Sequence, residues 1–278
     1  MFYWVRPPAP SERLLDVGAA SGNPHSSDVP CTIVALDEDP GVFGAPIPAG
    51  APTKFCRVLG RAQTMPFANA TFEYVLCHHA LEHIPAPQLA LQEIARVLKP
   101  GGGLSLAVPN GYGLCDQIYR YLFEGGGHVN RFRKDELIRL VATETGLTPV
   151  RWRRLYSSFA YLSRLIPLLD HPPPKLQRRL LRLRILPRGM LRLAQSALYL
   201  ATRFLDLIFH TDFAVYGWAF YFEESDARPQ ELPAYVNVCL HCGAGHPANG
   251  LIRVGRRNWL CPSCGKLTLF FAPFGNAE

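Results

Sequence analysis

The strongest constraint on this chain is the regular alternation of short apolar runs with helix-like patterns through its first 156 residues. Arg13–Val17 (RLLDV), Cys31–Leu36 (CTIVAL), Lys54–Val58, Phe72–Cys77 (FEYVLC) and Leu104–Val108 each read as a strand, being short, apolar and set off by turn-forming residues. Gln88–Leu98 places apolar residues at Leu89, Leu91, Ile94, Ala95 and Leu98, which predicts an amphipathic helix ended by Lys99-Pro100-Gly101-Gly102-Gly103. Lys134–Thr145 is helical in pattern, with Gly146 where a C-cap glycine belongs. Thr148–Tyr156 reads as a sixth strand and Ala214–Glu223 (AVYGWAFYFE) as a seventh. Strands joined by helical crossovers fold as a mostly parallel, doubly wound sheet, so the expected class is α/β.

The remaining stretches divide the chain. Residues 157–212, between the sixth and seventh expected strands, form an insertion rich in Leu and Arg, punctuated by Pro172-Pro173-Pro174 and Pro187. Glu224–Pro233 reads as a polar linker, and 234–278 as a separate cysteine-bearing module. The expected domains are therefore 1–233, carrying the insertion, and 234–278. The net charge of +7 is uneven: the insertion holds nine Lys/Arg against three acids, and the last 45 residues hold four against one. Such a field favours anionic partners without choosing among them. Met190–Phe209 is apolar but contains Arg192, Arg203 and Asp206, so it does not read as a membrane span. The chain starts with no pattern of a signal peptide, and its eight cysteines are too sparse for a secreted disulfide scaffold. A cytoplasmic protein is expected.

Asp16-Val17-Gly18-Ala19-Ala20-Ser21-Gly22 follows the first strand. A glycine turn there lets backbone approach a ligand closely, and Asp37 at the end of the second strand offers a carboxylate to ribose hydroxyls. Three more segments complete the pattern: Gly60–Phe67 (GRAQTMPF), Phe72–His83 (FEYVLCHHALEH) and Glu93–Gly102 (EIARVLKPGG). In order and spacing they resemble class I S-adenosylmethionine (SAM)-dependent methyltransferases of the ubiquinone-biosynthesis-like group. The resemblance spans about 13–156 and the seventh strand. It implies a Rossmann-like seven-stranded sheet and methyl transfer from SAM. It also implies that Asp16, Gly18, Ala20 and Gly22 form the cofactor loop, that Asp37 holds the ribose, that Arg61 and Ala62 lie beside adenine, that His78 faces the cofactor and that Val108-Pro109-Asn110 edges the substrate mouth. The chain departs from the pattern at Ala20, the middle loop glycine, and at Arg61, where an acid is usual.

Methyl transfer to an OH or NH acceptor needs a base, and a neutral imidazole is suited to that near neutral pH. His79, His83 and, in the glycine-flanked segment Gly125–Asn130, His128 are the candidates. His79, Glu82 and His83 also stand where some quinone O-methyltransferases carry a Glu…Glu-His metal set; here His holds the first place, and a divalent ion is left open. The alternative for Glu82 and His83 is a purely structural duty at the next helix start.

Arg178, Arg182, Arg184, Arg188 and Arg192, interleaved with leucines, suit a basic amphipathic helix. Such a helix can cap the core, lie peripherally on an anionic membrane through 174–209, or grip nucleic acid, the last being the least favoured. Finally, Cys239-Leu-His-Cys242-Gly and Cys261-Pro-Ser-Cys264-Gly have the spacing of a closed four-thiolate Zn²⁺ site, so a small zinc ribbon with a structural metal is expected. The leading functional reading is a SAM-dependent methyltransferase acting on an O or N atom of a small-molecule, glycan or lipid-linked acceptor. The alternatives are an RNA- or protein-directed methyltransferase recruited by the ribbon, and a non-catalytic binding protein on the same fold.

Overall fold

The computed structural model describes residues 8–19, 31–41, 55–123, 127–156 and 188–232, with 235–236, 246–247, 252–254, 258–262, 265 and 267–268 beyond them. The chain divides into two compact units. One comprises Met1–Pro109, Gly127–Trp152 and Trp218–Leu232; the other comprises Asn110–Gly126, Arg153–Gly217 and Pro233–Glu278.

Strand β1 (Arg13–Val17) pairs in parallel with β2 (Thr32–Asp37) on one side and β4 (Phe72–His78) on the other. Beyond β2 lies β3 (Phe55–Leu59), and beside β4 lies β5 (Leu98–Pro109), again parallel. A parallel strand with neighbours on both sides lies inside the sheet and reads as a near-continuous apolar run. Leu14, Leu15 and Val17 of β1 accordingly have almost no exposed surface. With β6 (Thr148–Tyr156) and β7 (Val215–Glu223), the order is β6-β7-β5-β4-β1-β2-β3. It reverses between β1 and β4, the point where open α/β sheets bind ligands at their carboxyl ends.

Among the described residues the sheet counts ten strands, where seven were expected. The additions are β8 (Gln230–Glu231), β9 (Tyr235–Val236) and β10 (His246–Pro247). β8 pairs with Arg151 and Trp152 of β6, and β9 with Leu155 and Tyr156. An edge strand leaves its outer backbone groups unpaired, and short segments satisfy them here. Two-residue strands have no periodicity, so nothing in the residue pattern announces them.

Helix α1 (Pro87–Val97) begins on a proline, whose missing N–H is no loss in the first turn. Its buried face is Pro87, Ala90, Leu91, Ile94 and Val97. This corrects the expected face at two places: Leu89 is 49% exposed, and Leu98 already opens β5. β5 therefore starts six residues before the expected Leu104. Phe72 pairs with Leu98, then Tyr74 with Gly103, so the register slips between them and the Lys-Pro-Gly-Gly stretch bulges out.

Gly103 is needed for packing. A Cβ there would fall 2.1 Å from the hydroxyl oxygen of fully buried Tyr221, which donates to Glu223 Oε1 at 2.7 Å. Gly103→Ala should cost about 3 kcal/mol or more in denaturant unfolding, an overpacking penalty. Adding Tyr221→Phe should recover part of that loss, because the nearest clashing atom is the hydroxyl; strict additivity of the two changes would refute the contact.

Helix α2 (Leu114–Phe123) was not anticipated; it lies in the second unit, with buried Asp116 paired to Arg120 one turn on. Helix α3 (Lys134–Thr145) ends at Gly146 in the left-handed conformation (φ +74°), as expected. Helix α4 (Arg188–Phe209) forms the last part of the insertion. Residues 157–187, with the arginines at 178, 182 and 184, lie outside the described residues. No helix among the described residues is long and apolar enough to cross a membrane. In the C-terminal module, β11 (Ile252–Val254), β12 (Asn258–Leu260) and β13 (Leu267–Thr268) form an antiparallel sheet.

Candidate functional site

The carboxyl ends of β1, β2 and β4 carry most of the residues singled out by the sequence. Gly18 leaves β1 with φ +68°, and a Cβ there would lie 2.5 Å from the Cβ of Ala80. Both the dihedral and the contact require glycine. The N–H groups of Gly18 and Ala19 donate to Leu36 O at 2.9 and 3.2 Å, tying the loop to the end of β2. Ala20 and Gly22 lie outside the described residues.

Asp16 is 3% exposed. Burial, and after it the charge of Asp37, push its carboxyl from 3.8 up to about 7. Asp37 ends β2, and one of its oxygens accepts the Asp39 N–H at 3.0 Å, closing a local turn. Arg61 Nε stands 3.4 Å from Glu38 Oε2, both side chains being largely exposed; such a pair is worth little in stability. Ala62 is half-buried beside it.

The loop carrying Arg61 and Ala62 is held from α1. Arg96 donates to Phe67 O at 2.7 Å, Asn69 Oδ1 at 2.9 Å and Met65 O at 3.1 Å, and pairs with Glu93 at 2.7 Å. Glu93 in turn accepts the Met65 N–H at 2.6 Å. The hydrogen bond from Arg96 holds the Glu93 carboxyl below its ordinary range. The Glu-x-x-Arg spacing thus brings two side chains of one helix face onto one loop.

His78, His79, His83 and His128 behave differently. His78 Nε2 lies 2.8 Å from the Ser105 hydroxyl on β5. His79 adopts φ +54°, uncommon for a residue with a Cβ, and its N–H donates to Ala107 O at 2.8 Å. Its ring is 30% exposed, and Nδ1 stands 3.6 Å from Oε1 of Glu82, which is only 2% exposed. An accessible imidazole backed by a buried carboxylate suits proton abstraction. His83 meets His128 edge-on with ring centroids 4.8 Å apart. The residue pattern singled out both histidines but gave no sign that they touch. It also passed over Asn130, which donates through Nδ2 to Leu81 O at 3.1 Å and Ile84 O at 2.6 Å. The glycine run ahead of His128 was the available signal.

Asn110, expected at the substrate mouth, is buried in the second unit. It donates to Tyr216 O at 2.7 Å and Asp212 O at 2.9 Å, and accepts from Tyr112 N–H at 3.1 Å. Of the four expected zinc ligands, Cys239, Cys242 and Cys264 lie outside the described residues. Cys261 is fully buried, and Gly265 turns back on it with φ +65° and an N–H bond to Cys261 O at 2.8 Å. That is the turn a glycine after a cysteine pair permits.

Residues 15–106 match the methyltransferase domain family. Among curated relatives, the demethylmenaquinone methyltransferase of Renibacterium salmoninarum is 34% identical over 100 residues, covering 35% of this chain and 41% of the relative. The O-methyltransferase resE of Aspergillus sclerotiorum is 30% identical over 106 residues, 34% of this chain and 39% of the relative. The chain thus spans about two fifths of the length of the curated relatives it matches. Among solved structures, one from Galdieria sulphuraria assigned as a sarcosine dimethylglycine methyltransferase has a TM-score of 0.52 at 17% identity, covering 80% of each chain. The [4+2]-cyclase SpnF has a TM-score of 0.50 at 17% identity, covering 78% of this chain and 75% of its own. Likenesses at these identities establish the mixed α/β fold. That a cyclase shares it shows why the chemistry must be argued from the site.

Proposed function

We propose that this protein is a SAM-dependent methyltransferase that methylates an O or N atom of a small-molecule acceptor. The observation that carries the reading is the grouping, at the strand-order reversal, of Gly18, Asp16 and Asp37 with the accessible His79 backed by buried Glu82. The matched relatives named for methyl transfer support it.

The residues present fit the cofactor. Gly18 leaves room for close backbone approach, Asp37 offers oxygens to ribose hydroxyls, and Arg61 and Ala62 stand on the loop beside the expected adenine position, with His78 at the end of β4. Asp16 supplies a carboxylate for the cofactor's cationic end. The cofactor, when bound, supplies an electrophilic methyl group. The protein's own work is to align the acceptor, exclude water and take a proton at His79. His83 and His128 have donor atoms within 4.8 Å of Glu82, the carboxylate beside His79.

The domain limits 1–233 and 234–278 belong to this proposal, as does a structural Zn²⁺ on Cys239, Cys242, Cys261 and Cys264, supported by the buried Cys261 and the Gly265 turn. Peripheral contact with an anionic membrane through 174–209 also belongs to this proposal, supported by α4, which leaves Phe204, Leu205, Leu207, Ile208 and Phe209 exposed.

Calorimetry of the full chain with SAM and with S-adenosylhomocysteine tests the proposal; if neither binds, the chain is a binding module on this fold. Against a panel of quinol and phenol acceptors, His79→Ala should lower turnover by roughly 10²–10⁴-fold while SAM affinity is kept. Unchanged turnover removes His79 as the base, and methylation of RNA in place of these acceptors would overturn the acceptor class.

A further inference from the structure

The segment after α2 is stapled to the turn after β4. Val129 and Asn130 N–H groups donate to Glu82 O at 2.9 and 3.0 Å, and the Asn130 side chain adds its two bonds to Leu81 and Ile84. His83 Nδ1 lies 3.0 Å from Gly127 O. Gly127 has φ +77°, and a Cβ there would come 3.0 Å from that same Nδ1, so only glycine permits the approach. The staple sets His128 against His83 and Glu82. Donor atoms of these three residues lie within 4.8 Å of one another. Glu82 is 1% exposed, and its Oε2 is buried with no hydrogen-bond partner.

A carboxylate oxygen left bare in a protein interior is costly and calls for a counterpart. The structure assigns that counterpart as a divalent transition-metal ion, held by Glu82, His83 and His128. The set differs from the one the sequence suggested: His79 is replaced by His128, 49 residues further on, which only the staple brings in. Two imidazoles and one carboxylate suit the borderline ions of the zinc, iron and cobalt group better than Mg²⁺ or Ca²⁺. The contact with Gly127 supports the assignment independently. A carbonyl oxygen can only accept, so Nδ1 of His83 carries the hydrogen and Nε2 keeps its lone pair. Three protein donors leave coordination positions open, unlike the closed four-cysteine pattern of the C-terminal module.

Metal binding at these three residues is independent of methyl transfer and is read without an activity assay. Co²⁺ is titrated into the reduced full-length chain and followed by visible absorption. Cobalt on thiolates shows intense sulfur-to-metal charge-transfer bands, while cobalt on imidazole and carboxylate shows weak d–d bands alone. The expected result is a Co²⁺ equivalent of the second kind in the native chain. His128→Ala and Glu82→Gln should each weaken it by roughly ten-fold or more, leaving thiolate bands unchanged. Thermal melts of the metal-free variants check folding. His128, half-buried in a loop, is the safer variant if Glu82→Gln perturbs the core. Only thiolate-bound cobalt in the native chain, or a nitrogen- and oxygen-bound equivalent that survives His128→Ala in a folded protein, would overturn the assignment.

Discussion

Asp16→Asn should stabilise the fold above pH 7 by up to about 4 kcal/mol while sharply weakening SAM binding. The Asp16 carboxyl titrates at about 7 in the folded chain and near 3.8 in the unfolded one, because burial and then Asp37 disfavour its charge. Between those values the folded state holds a proton that the unfolded state has lost. Stability is therefore fully present below 3.8, declines as pH rises through this window, and stays reduced above about 7. The asparagine has no charge to bury and escapes the decline. Urea unfolding of both proteins at about pH 4 and about pH 8 reads the effect: near-equal stabilities at the lower pH and a wide gap at the higher. A gap that does not change with pH would remove Asp16 as its source. The same carboxylate gives the proposed cofactor its functional cost. A cationic ligand beside Asp16 draws its proton off, so SAM binding at about pH 6 should release close to one proton per site. Calorimetry in two buffers of different ionisation enthalpy measures that number, and Asp16→Asn should abolish it. Stability gained where function is lost is the trade-off expected of a binding carboxylate.

Gly18→Ala has the second large effect. The new Cβ would meet Ala80 Cβ at 2.5 Å and would hold a side chain at φ +68°. The dihedral penalty and the overpacking together should cost roughly 2–4 kcal/mol. They should also push apart the glycine loop and the turn bearing His79. Ala80→Gly in that background separates the two causes. It removes the clash and leaves the strained dihedral, so stability should return only in part. Full recovery would show that the dihedral costs nothing, and no recovery would show that Ala80 is not the neighbour that matters. SAM affinity should follow the same order: lowest in the single variant, intermediate in the double.

Much of the fold was legible because it repeats physical rules over many residues. The order of strands β1 to β7 follows from apolar runs with turn residues between them, and Gly146 ends α3 where a left-handed C-cap was expected. Register and edges were not legible. The apolar face of α1 was misread at Leu89 because several apolar residues lie near the helix, and the start set by Pro87 decides which of them point inward. The start of β5 was misplaced because Lys-Pro-Gly-Gly reads as a helix terminator, and the sheet accommodates it as a bulge. In the site, residues given by a short motif were found at once, since a motif lies within one turn. Partners contributed by other elements were not: Ala80 against Gly18, Arg96 over the 61–69 loop, Asn130 and Gly127 under His83.

What the sequence determined by itself is the alternation it began with: an α/β sheet, its glycine turn, its acidic strand ends and its line of histidines. These are local, because each depends on residues within a few positions of one another. The tertiary structure decided which histidines meet, why Gly18 and Gly103 tolerate no side chain, and how far Asp16 departs from an ordinary carboxyl. Each of those depends on atoms brought close by packing between distant segments, and neither close contact nor loss of water is written in the order of residues along the chain.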